Sequence, residues 1–348
     1  MLRNLLALVG GIVGSLLVIP IVIVGAPFWI VAVLARMLKP WIAPPVVQWT
    51  ELIQFDPVIG WKPKPNISAV CEALQADVFC VETDQEGWRG PASLDDSQLI
   101  VFGDSYAFGY AVNRPFFHAS KPGLSMKAVA AQGYNMVQEL LLMNQYAPRL
   151  RGKLVAWFIY PGNDLTDNLS PSMWGYRSPF LLQSGDGWEI FTKHLQPDKW
   201  PAHPRYDRNK KISAVFGRNP ASDRVYAACE HLIARGQTVC RQAGARLVLL
   251  TIPWVIQFEK LPWRGVNDKT LEPDLPERRI GDICTRLGVE FLPGMQHFLP
   301  CHYIPSEGHL NEEGHRHLAR ILGELYRNHQ PLTRTQSNPL AVHVFSKV

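Results

Sequence analysis

Short apolar runs alternate with amphipathic segments through most of the chain, and this alternation predicts its secondary structure. Continuous apolar runs are typical of strands that are buried on both faces of a parallel sheet. Longer segments with apolar residues at helical spacing, such as Val225, Ala228 and Leu232, indicate helices that cover such a sheet. The predicted strands lie near 98–103, 126–131, 153–160, 246–252 and 288–292, and the predicted helices near 134–146, 221–243, 276–287 and 311–328. Strands that alternate with helices in this way predict an α/β fold with a mostly parallel sheet and helices on both faces.

The N-terminal segment differs from this pattern because it contains one long apolar run. Residues 5–35 carry no charged side chain. As a single helix this run would measure roughly 46 Å, compared with about 30 Å of hydrocarbon in a bilayer, and no small-residue cleavage site follows it. We therefore expect residues 1–39 to form a membrane anchor. Pro20 and Pro27 leave its form open between a single tilted span and a re-entrant helix.

Basic residues and cysteines give opposite indications about the side of the membrane on which the remaining chain lies. Arg36 and Lys39 follow the apolar run and only Arg3 precedes it, which favours the cytoplasmic side. Among the six cysteines, Cys71 and Cys80 are close together in a segment that resembles a small hairpin or loop. A bridge between them would require an oxidising compartment, whereas the alternative is that all six are buried thiols. We expect the bridge, and a domain on the extracytoplasmic (periplasmic) side.

Composition and charge narrow the class of protein. With 348 residues, of which 47% are hydrophobic, the chain is long enough for one α/β domain with additional segments. The net charge of +5 comes from scattered basic residues, so a nucleic-acid partner is not expected. The one small basic cluster, 208–211, is expected to be a solvated loop. We expect neither a cofactor nor a metal site, since His315 and His317 would point to different sides of a helix.

The chain divides into segments of different character. The anchor at 1–39 is followed by a juxtamembrane and lead-in segment at 40–97 and by the predicted domain at 98–328. Residues 169–220 interrupt the α/β alternation and are rich in Pro, Ser, Trp and Asp, and such long excursions are usually functional. We expect this insertion to cover the substrate, the alternative being a loose surface loop. Residues 329–348 have the composition of a disordered or loosely docked tail.

Three short motifs contain the residues that suggest chemistry. Gly103-Asp104-Ser105 follows the first predicted strand, Gly162-Asn163-Asp164 follows the third, and His309 precedes the last helix. Ligand crevices of open α/β sheets lie at the carboxyl ends of the strands. A serine hydroxyl becomes a nucleophile when a histidine takes its proton and an acid orients that histidine. Each motif alone is a common turn, but their order and their positions beside predicted strands and helices favour a serine hydrolase.

Serine, asparagine and histidine in this order resemble the SGNH (GDSL-type) hydrolases. The lead-in extends the likeness, because Ile59-Gly60-Trp61, Lys64-Pro65-Asn66 and the segment Asp84–Gly90 are similar to pieces that precede the catalytic blocks in many bacterial members. The resemblance covers about residues 55–328. It implies a flavodoxin-like, three-layer SGNH hydrolase fold, to which the chain adds an N-terminal membrane helix.

The resemblance also implies roles for individual residues. Ser105 is the expected nucleophile and His309 the expected base, and the oxyanion donors are the Ser105 N–H, the Asn163 amide and the N–H of Ala130, which aligns with the family's glycine. The family's acid is usually an Asp three residues before the histidine, where this chain has Ser306. We expect Glu307 to orient His309, the alternative being a Ser–His dyad in which Ser306 or the backbone orients the ring.

The expected substrate contacts come from Asp104, Gly162 and Trp174, the last because its flat ring can stack on a sugar or cover an acyl chain. Together these features predict a membrane-anchored serine esterase acting on an acyl ester, such as an acylated envelope glycan or lipid. The first alternative is an O-acyltransferase of a cell-envelope polysaccharide. The second is an inactive binding module, suggested by the two departures from the family pattern. The acyl group, its acceptor and the oligomeric state are left open by the sequence.

Overall fold

The structure is a computed structural model that describes residues 46–73, 77–118, 123–185, 187–198, 208–258, 271–305 and 307–329. The predicted anchor at 1–39 and nearly all of the predicted tail lie outside these ranges. Within them, no helix combines the length and the apolar character that crossing a bilayer requires. All of the described residues except Val46 belong to one compact unit.

Five strands come first along the described chain, and helices of 4 to 24 residues are interspersed with the strands that follow. In chain order the strands are β1 (Val46–Val47), β2 (Ile53–Asp56), β3 (Gly60–Pro63), β4 (Ser68–Cys71), β5 (Phe79–Glu82), β6 (Leu99–Gly103), β7 (Met126–Ala130), β8 (Leu154–Ile159), β9 (Ser172–Met173), β10 (Tyr176–Arg177), β11 (Phe180–Ser184), β12 (Gly187–Phe191), β13 (Arg246–Thr251) and β14 (Glu290–Leu292). The α-helices are α1 (Ser105–Phe108), α2 (Met136–Tyr146), α3 (Asp164–Asp167), α4 (Arg208–Phe216), α5 (Pro220–Ala243), α6 (Leu275–Leu287) and α7 (Glu312–His329).

A five-stranded parallel sheet forms the core, in the order β14-β13-β8-β6-β7. Every residue of β6, β7 and β8 is buried, as expected for strands covered on both faces. Ile100 and Phe102 pack in one apolar cluster with α2, α5 and α6, whereas Leu99 and Val101 pack in a second cluster with α1 and α7. The predicted α/β core is confirmed, and its strands and helices lie within two residues of the predicted bounds.

The lead-in segment forms antiparallel hairpins, and their register excludes the predicted disulfide. Cys71 pairs with Phe79 and Cys80 pairs with Val70. Because neighbouring residues of a strand face opposite sides, Cys71 points to the buried face and Cys80 to the exposed one. Both cysteines are free, so the prediction of a bridge is wrong. Burial raises the pKa of the Cys71 thiol to about 12, which keeps it protonated.

The insertion at 169–220 contains regular structure that the sequence did not indicate. Two hairpins, β9–β10 and β11–β12, precede helix α4. The basic cluster 208–211 is the first turn of α4, and Lys211 Nζ lies 2.5 Å from the carboxylate of Asp167 in α3. The expectation of a loop there is wrong because the cluster is helical, whereas residues 208–210 are exposed to solvent as expected.

Candidate active site

A turn at the carboxyl end of β6 presents Ser105. Gly103 is the last residue of the strand, and a Cβ at that position would lie 2.8 Å from Ala107 Cβ and 3.1 Å from Phe158 Cβ. Only glycine therefore lets α1 begin this close to the sheet. Ser105 is the first residue of α1 and is 8% exposed, so its hydroxyl lies just below the surface.

His309 and Glu307 complete a hydrogen-bonded line with Ser105. His309 Nε2 lies 2.7 Å from Ser105 Oγ, and Nδ1 lies 2.6 Å from the Glu307 carboxylate. Glu307 Oε2 also accepts a hydrogen bond from the His309 N–H at 2.9 Å. The carboxylate fixes the proton on Nδ1, which leaves Nε2 free to accept the hydroxyl proton. The structure thus brings these three predicted residues together, while Ser306 lies outside the described residues.

A glycine makes the short spacing between Glu307 and His309 workable. Gly308 has a φ of 88°, in the left-handed region that favours glycine. This turn folds the glutamate side chain back towards the imidazole of the residue two positions on. The extra methylene of glutamate, compared with aspartate, supplies the remaining reach.

Two tyrosines that sequence reasoning missed flank the imidazole of His309. The ring centroids of Tyr106 and Tyr110 lie 4.7 and 4.8 Å from that of His309. The Tyr106 hydroxyl donates to the carbonyl of Gly308 at 2.9 Å. The residue next to the nucleophile therefore holds the loop that carries the base. The only signal in the sequence was the adjacency of Tyr106 to Ser105.

Asn163 lies beside the nucleophile and is oriented by Asp104. Its Nδ2 donates to Asp104 Oδ2 at 3.0 Å, and Asp104 Oδ1 accepts from the Tyr106 N–H at 3.0 Å. An amide nitrogen carries two hydrogens, so one remains for a ligand. Ala130, the last residue of β7, is in register with Gly103 and is buried.

Asp104 has a structural position instead of the predicted substrate contact. It is only 1% exposed, and both of its oxygens accept hydrogen bonds from neighbouring protein groups. Burial raises the pKa of Asp104, and burial together with the charge of Asp104 holds the pKa of Asp164 well above its usual range. Asp104 has the better set of donors and lies near His309, which favours the charge on Asp104 and the proton on Asp164.

Gly162 and Trp174, the other two predicted substrate contacts, lie in different turns of the chain. A Cβ at Gly162 would lie 2.4 Å from the ring of Tyr160, so the strand-end turn needs glycine there. Trp174 is 48% exposed at the turn between β9 and β10, with a φ of 49° that is unusual for a bulky residue. Its ring covers Gly133, which follows β7, and meets Trp49 edge to face at 5.0 Å.

Among the described residues, no group of three His, Cys, Asp or Glu side chains is arranged to hold a metal ion. His315 is buried and stacks on Phe116, with ring centroids 6.1 Å apart. Burial and the charges of Arg89 and His309 lower the pKa of His315 to about 3, so it is neutral at ordinary pH.

Comparison with known proteins gives structural neighbours but no sequence relatives. No protein-family model matches the chain, and no curated protein matches it. A GDSL-like lipase from Bacteroides thetaiotaomicron is 13% identical, with a TM-score of 0.38 and coverage of 69% of this chain and 92% of the lipase. The acetylxylan esterase Axe2 from Geobacillus stearothermophilus is 14% identical, with a TM-score of 0.38 and coverage of 69% and 98%. TesA is 12% identical, with a TM-score of 0.38 and coverage of 68% and 99%. Identities and TM-scores this low leave the chemistry to be inferred from the site itself.

Proposed function

We propose that this chain is a serine hydrolase of the SGNH type that cleaves carboxylic esters through an acyl-enzyme. The observation that carries the proposal is the continuous line from Ser105 Oγ through His309 to Glu307, with contacts of 2.7 and 2.6 Å. These are the distances over which a base takes a proton from a nucleophile and an acid holds that base. A structural role alone would not require three polar side chains, drawn from two distant segments, to converge at the surface.

In the acylation step, Ser105 Oγ attacks the ester carbonyl and its proton passes to His309 Nε2. The Glu307 carboxylate stabilises the imidazolium that forms. His309 then gives the proton to the leaving alcohol, which departs as the acyl-enzyme forms. In the second step, His309 takes a proton from water as the water oxygen attacks the acyl carbon. The bond from that carbon to Ser105 Oγ then breaks, His309 returns its proton to Oγ, and the carboxylic acid leaves.

The negative oxygen of each tetrahedral intermediate needs donors that are already in place. We assign this role to the N–H of Ser105, the N–H of Ala130 and the second hydrogen of Asn163 Nδ2. The hydrogen bond from Asn163 to Asp104 supports the assignment, because it fixes the amide plane before substrate arrives. Alanine in place of glycine at 130 does not weaken this role, since the donor is a backbone group.

Replacement of the nucleophile tests the proposal. Ser105→Ala should lower kcat for a p-nitrophenyl ester by at least ~10³-fold, with a melting temperature close to that of the wild type. The wild-type chain should also react covalently with a fluorophosphonate probe, and the variant should not. Turnover by the alanine variant at near the wild-type rate would contradict the assignment. An intact wild-type chain that neither turns over esters nor reacts with the probe would favour the inactive binding module.

The substrate we favour is an acyl ester whose alcohol or acyl part is large enough to reach the insertion. Trp174 supports this, because a bulky residue in the left-handed region carries a conformational cost of about 1–3 kcal/mol although only about half of the residue is buried. Trp174→Ala should impair a bulky ester, such as an acylated oligosaccharide, several-fold more than a minimal acetyl ester. Leu182→Ala is the matched control, since Leu182 is also exposed in the insertion. Equal losses on both esters would contradict a substrate role for Trp174.

Hydrolysis and acyl transfer share the acyl-enzyme and differ in the group that accepts the acyl chain. Product analysis with and without an added carbohydrate acceptor separates them. We expect free acid in both cases, whereas an acylated carbohydrate would make the chain an O-acyltransferase.

We further propose that residues 1–39 anchor the chain in a membrane. The free state of Cys71 and Cys80 removes the disulfide as an argument for a domain outside the cytoplasm. The remaining indication, Arg36 and Lys39 after the apolar run, favours the cytoplasmic side. Cys80 provides the test because its thiol is free and exposed. The experiment uses a Cys301→Ser background, because Cys301 is also free and exposed. In intact cells, labelling by a membrane-impermeant maleimide that disappears with Cys80→Ser would place the domain outside the cytoplasm. Labelling only after lysis would place the domain in the cytoplasm.

A further inference from the structure

Arg89 is a buried cation that contacts the end of the nucleophile helix from outside the site. It is 3% exposed. Its Nη1 donates to the carbonyls of Phe108 and Gly109 at 2.8 and 2.9 Å, and its Nη2 donates to the Cys80 carbonyl at 3.0 Å. The guanidinium also lies over the rings of Phe108 and Phe117, 4.9 and 5.5 Å from their centroids. Its donors are therefore directed at backbone carbonyls and its faces at aromatic rings.

The carbonyls that Arg89 binds terminate the helix that begins with Ser105. Phe108 is the last residue of α1, and Gly109 follows it with a φ of 76°. The last carbonyls of a helix have no partner within it, and a cation is favourable at that end. Since α1 has a single turn, fixing its last carbonyls also fixes its first residue.

The backbone around Arg89 is attached to β7. The Arg89 carbonyl accepts from the Ala128 N–H at 3.0 Å. Beside it, Lys127 Nζ donates to the Gly90 carbonyl at 3.1 Å and lies 2.6 Å from the Asp84 carboxylate. The Asp84–Gly90 segment is thus held to β7 at Ala128, two residues before the strand ends at Ala130.

We propose that Arg89 is a positioning residue that fixes Ser105, on α1, relative to Ala130, on β7. This inference rests on the proposed function, in which backbone N–H groups of both residues bind the same oxyanion. Donors from two separate elements must be aligned closely, because a misplacement of about 1 Å can cost ~10²-fold in rate.

The choice of arginine supports a geometric role. Burying a guanidinium is costly, and apolar side chains often stabilise such a position as well or better. The planar fork supplies two donors in a fixed arrangement to two successive carbonyls, which the point charge of lysine cannot reproduce.

The test compares Arg89→Lys with wild type in the full chain, using a short p-nitrophenyl ester. Lysine keeps the charge and loses the fork, so kcat should fall by about tenfold or more, with KM within about twofold of the wild type. The rate of fluorophosphonate labelling should fall by a similar factor. Arg149→Lys is the matched control: Arg149 pairs with Glu86 of the same lead-in segment and with Asp95, so kcat should be unchanged.

Unchanged kcat in folded Arg89→Lys would overturn the proposal, as would an equal loss of kcat in Arg149→Lys. Circular dichroism and melting curves of Arg89→Lys and Arg89→Gln give a second measurement. Loss of the folded state in both variants would overturn the proposal, because Arg89 would then be required for folding instead of for positioning Ser105. Failure of the proposed function is distinguishable, because the wild-type chain itself would then lack esterase activity and probe labelling.

Discussion

The nucleophile and the base of the site differ in their burial and in the elements that carry them. Ser105 lies two residues after the end of β6, in which every residue is buried, and it is itself 8% exposed. His309 lies in the loop between residues 304 and 310, and its side chain is 21% exposed. The nucleophile therefore begins a helix that is attached directly to the buried sheet, whereas the base lies in a surface loop.

The loop of residues 304–310, here called the base loop because it carries His309, is held by few contacts of its own. Within the loop, the Ile304 N–H donates to the His309 carbonyl at 2.8 Å, and the Gly308 N–H donates to the Ile304 carbonyl at 2.8 Å. Besides the contact of His309 with Ser105 and the ring of Tyr110, Tyr106 links the loop to the nucleophile segment through its hydroxyl on Gly308 and its ring on His309. Substitutions in the base loop should therefore change turnover more than stability. Substitutions around Ser105 should change both, except Ser105→Ala, which removes only the hydroxyl.

Among the substitutions that test this difference between the base loop and the nucleophile segment, Glu307→Gln should lower turnover most. The neutral amide fills the same space but no longer stabilises the imidazolium, so kcat should fall by well over ~10-fold. The melting temperature should change little. Ester turnover and thermal unfolding measure the two effects. Glu313→Gln, the same change at an exposed position in the first turn of α7, is the matched control and should keep wild-type turnover. Unchanged kcat in Glu307→Gln would indicate a Ser–His dyad.

The elements that the sequence predicted correctly are those defined by local pattern. Strands β6 and β8 are continuous apolar runs, and their burial follows from that pattern alone. What it could not predict depends on long-range contacts. The hydroxyl of Tyr106 meets a carbonyl 202 positions away, and Lys211 finds its partner in another helix.

The error at Cys71 and Cys80 has a different cause, which is strand register. The two cysteines do lie in the predicted small hairpin, close together in sequence. A shift of pairing by one residue moves a side chain to the opposite face of a strand, and spacing alone does not fix that register. Proximity in sequence was therefore predictable, whereas the faces on which the thiols lie were not.

Tyr106→Phe should have an intermediate effect, because it removes one of the contacts between the two segments and leaves the hydrogen bond of His309 with Ser105 in place. The ring contact with His309 stays, while the hydrogen bond to Gly308, worth about 1 kcal/mol, is lost. We expect kcat to fall by roughly 3–10-fold, which corresponds to about 1 kcal/mol, with KM unchanged. Tyr226→Phe is the matched control, since the Tyr226 hydroxyl donates to the Val215 carbonyl at 2.8 Å in the α5 region. A fall in kcat of the same size in both variants would contradict a specific link.

His315→Leu should have the smallest effect on turnover. It tests whether protonation of His315 lowers the free energy of unfolding as the pH falls. His315 is in α7, just after the base loop, and its pKa of about 3 in the folded chain lies below the usual value of ~6.5. The unfolded chain therefore takes up the proton first. The stability that neutral His315 contributes is complete above pH 6.5 and decreases as the pH falls towards 3. At pH 5 this loss amounts to about 2 kcal/mol.

The leucine variant lacks this titration, so its free energy of unfolding should decrease less than that of the wild type between pH 7.5 and pH 5, by about 2 kcal/mol. Denaturant unfolding at the two pH values measures the difference. Phe116→Leu is the matched control, because it alters the same ring stack and keeps the histidine, so it should retain the wild-type pH dependence. If His315→Leu shows that dependence too, His315 is not the group through which acid destabilises the helix behind the base loop. If only His315→Leu loses it, His315 is the group through which acid destabilises the helix that follows the base loop.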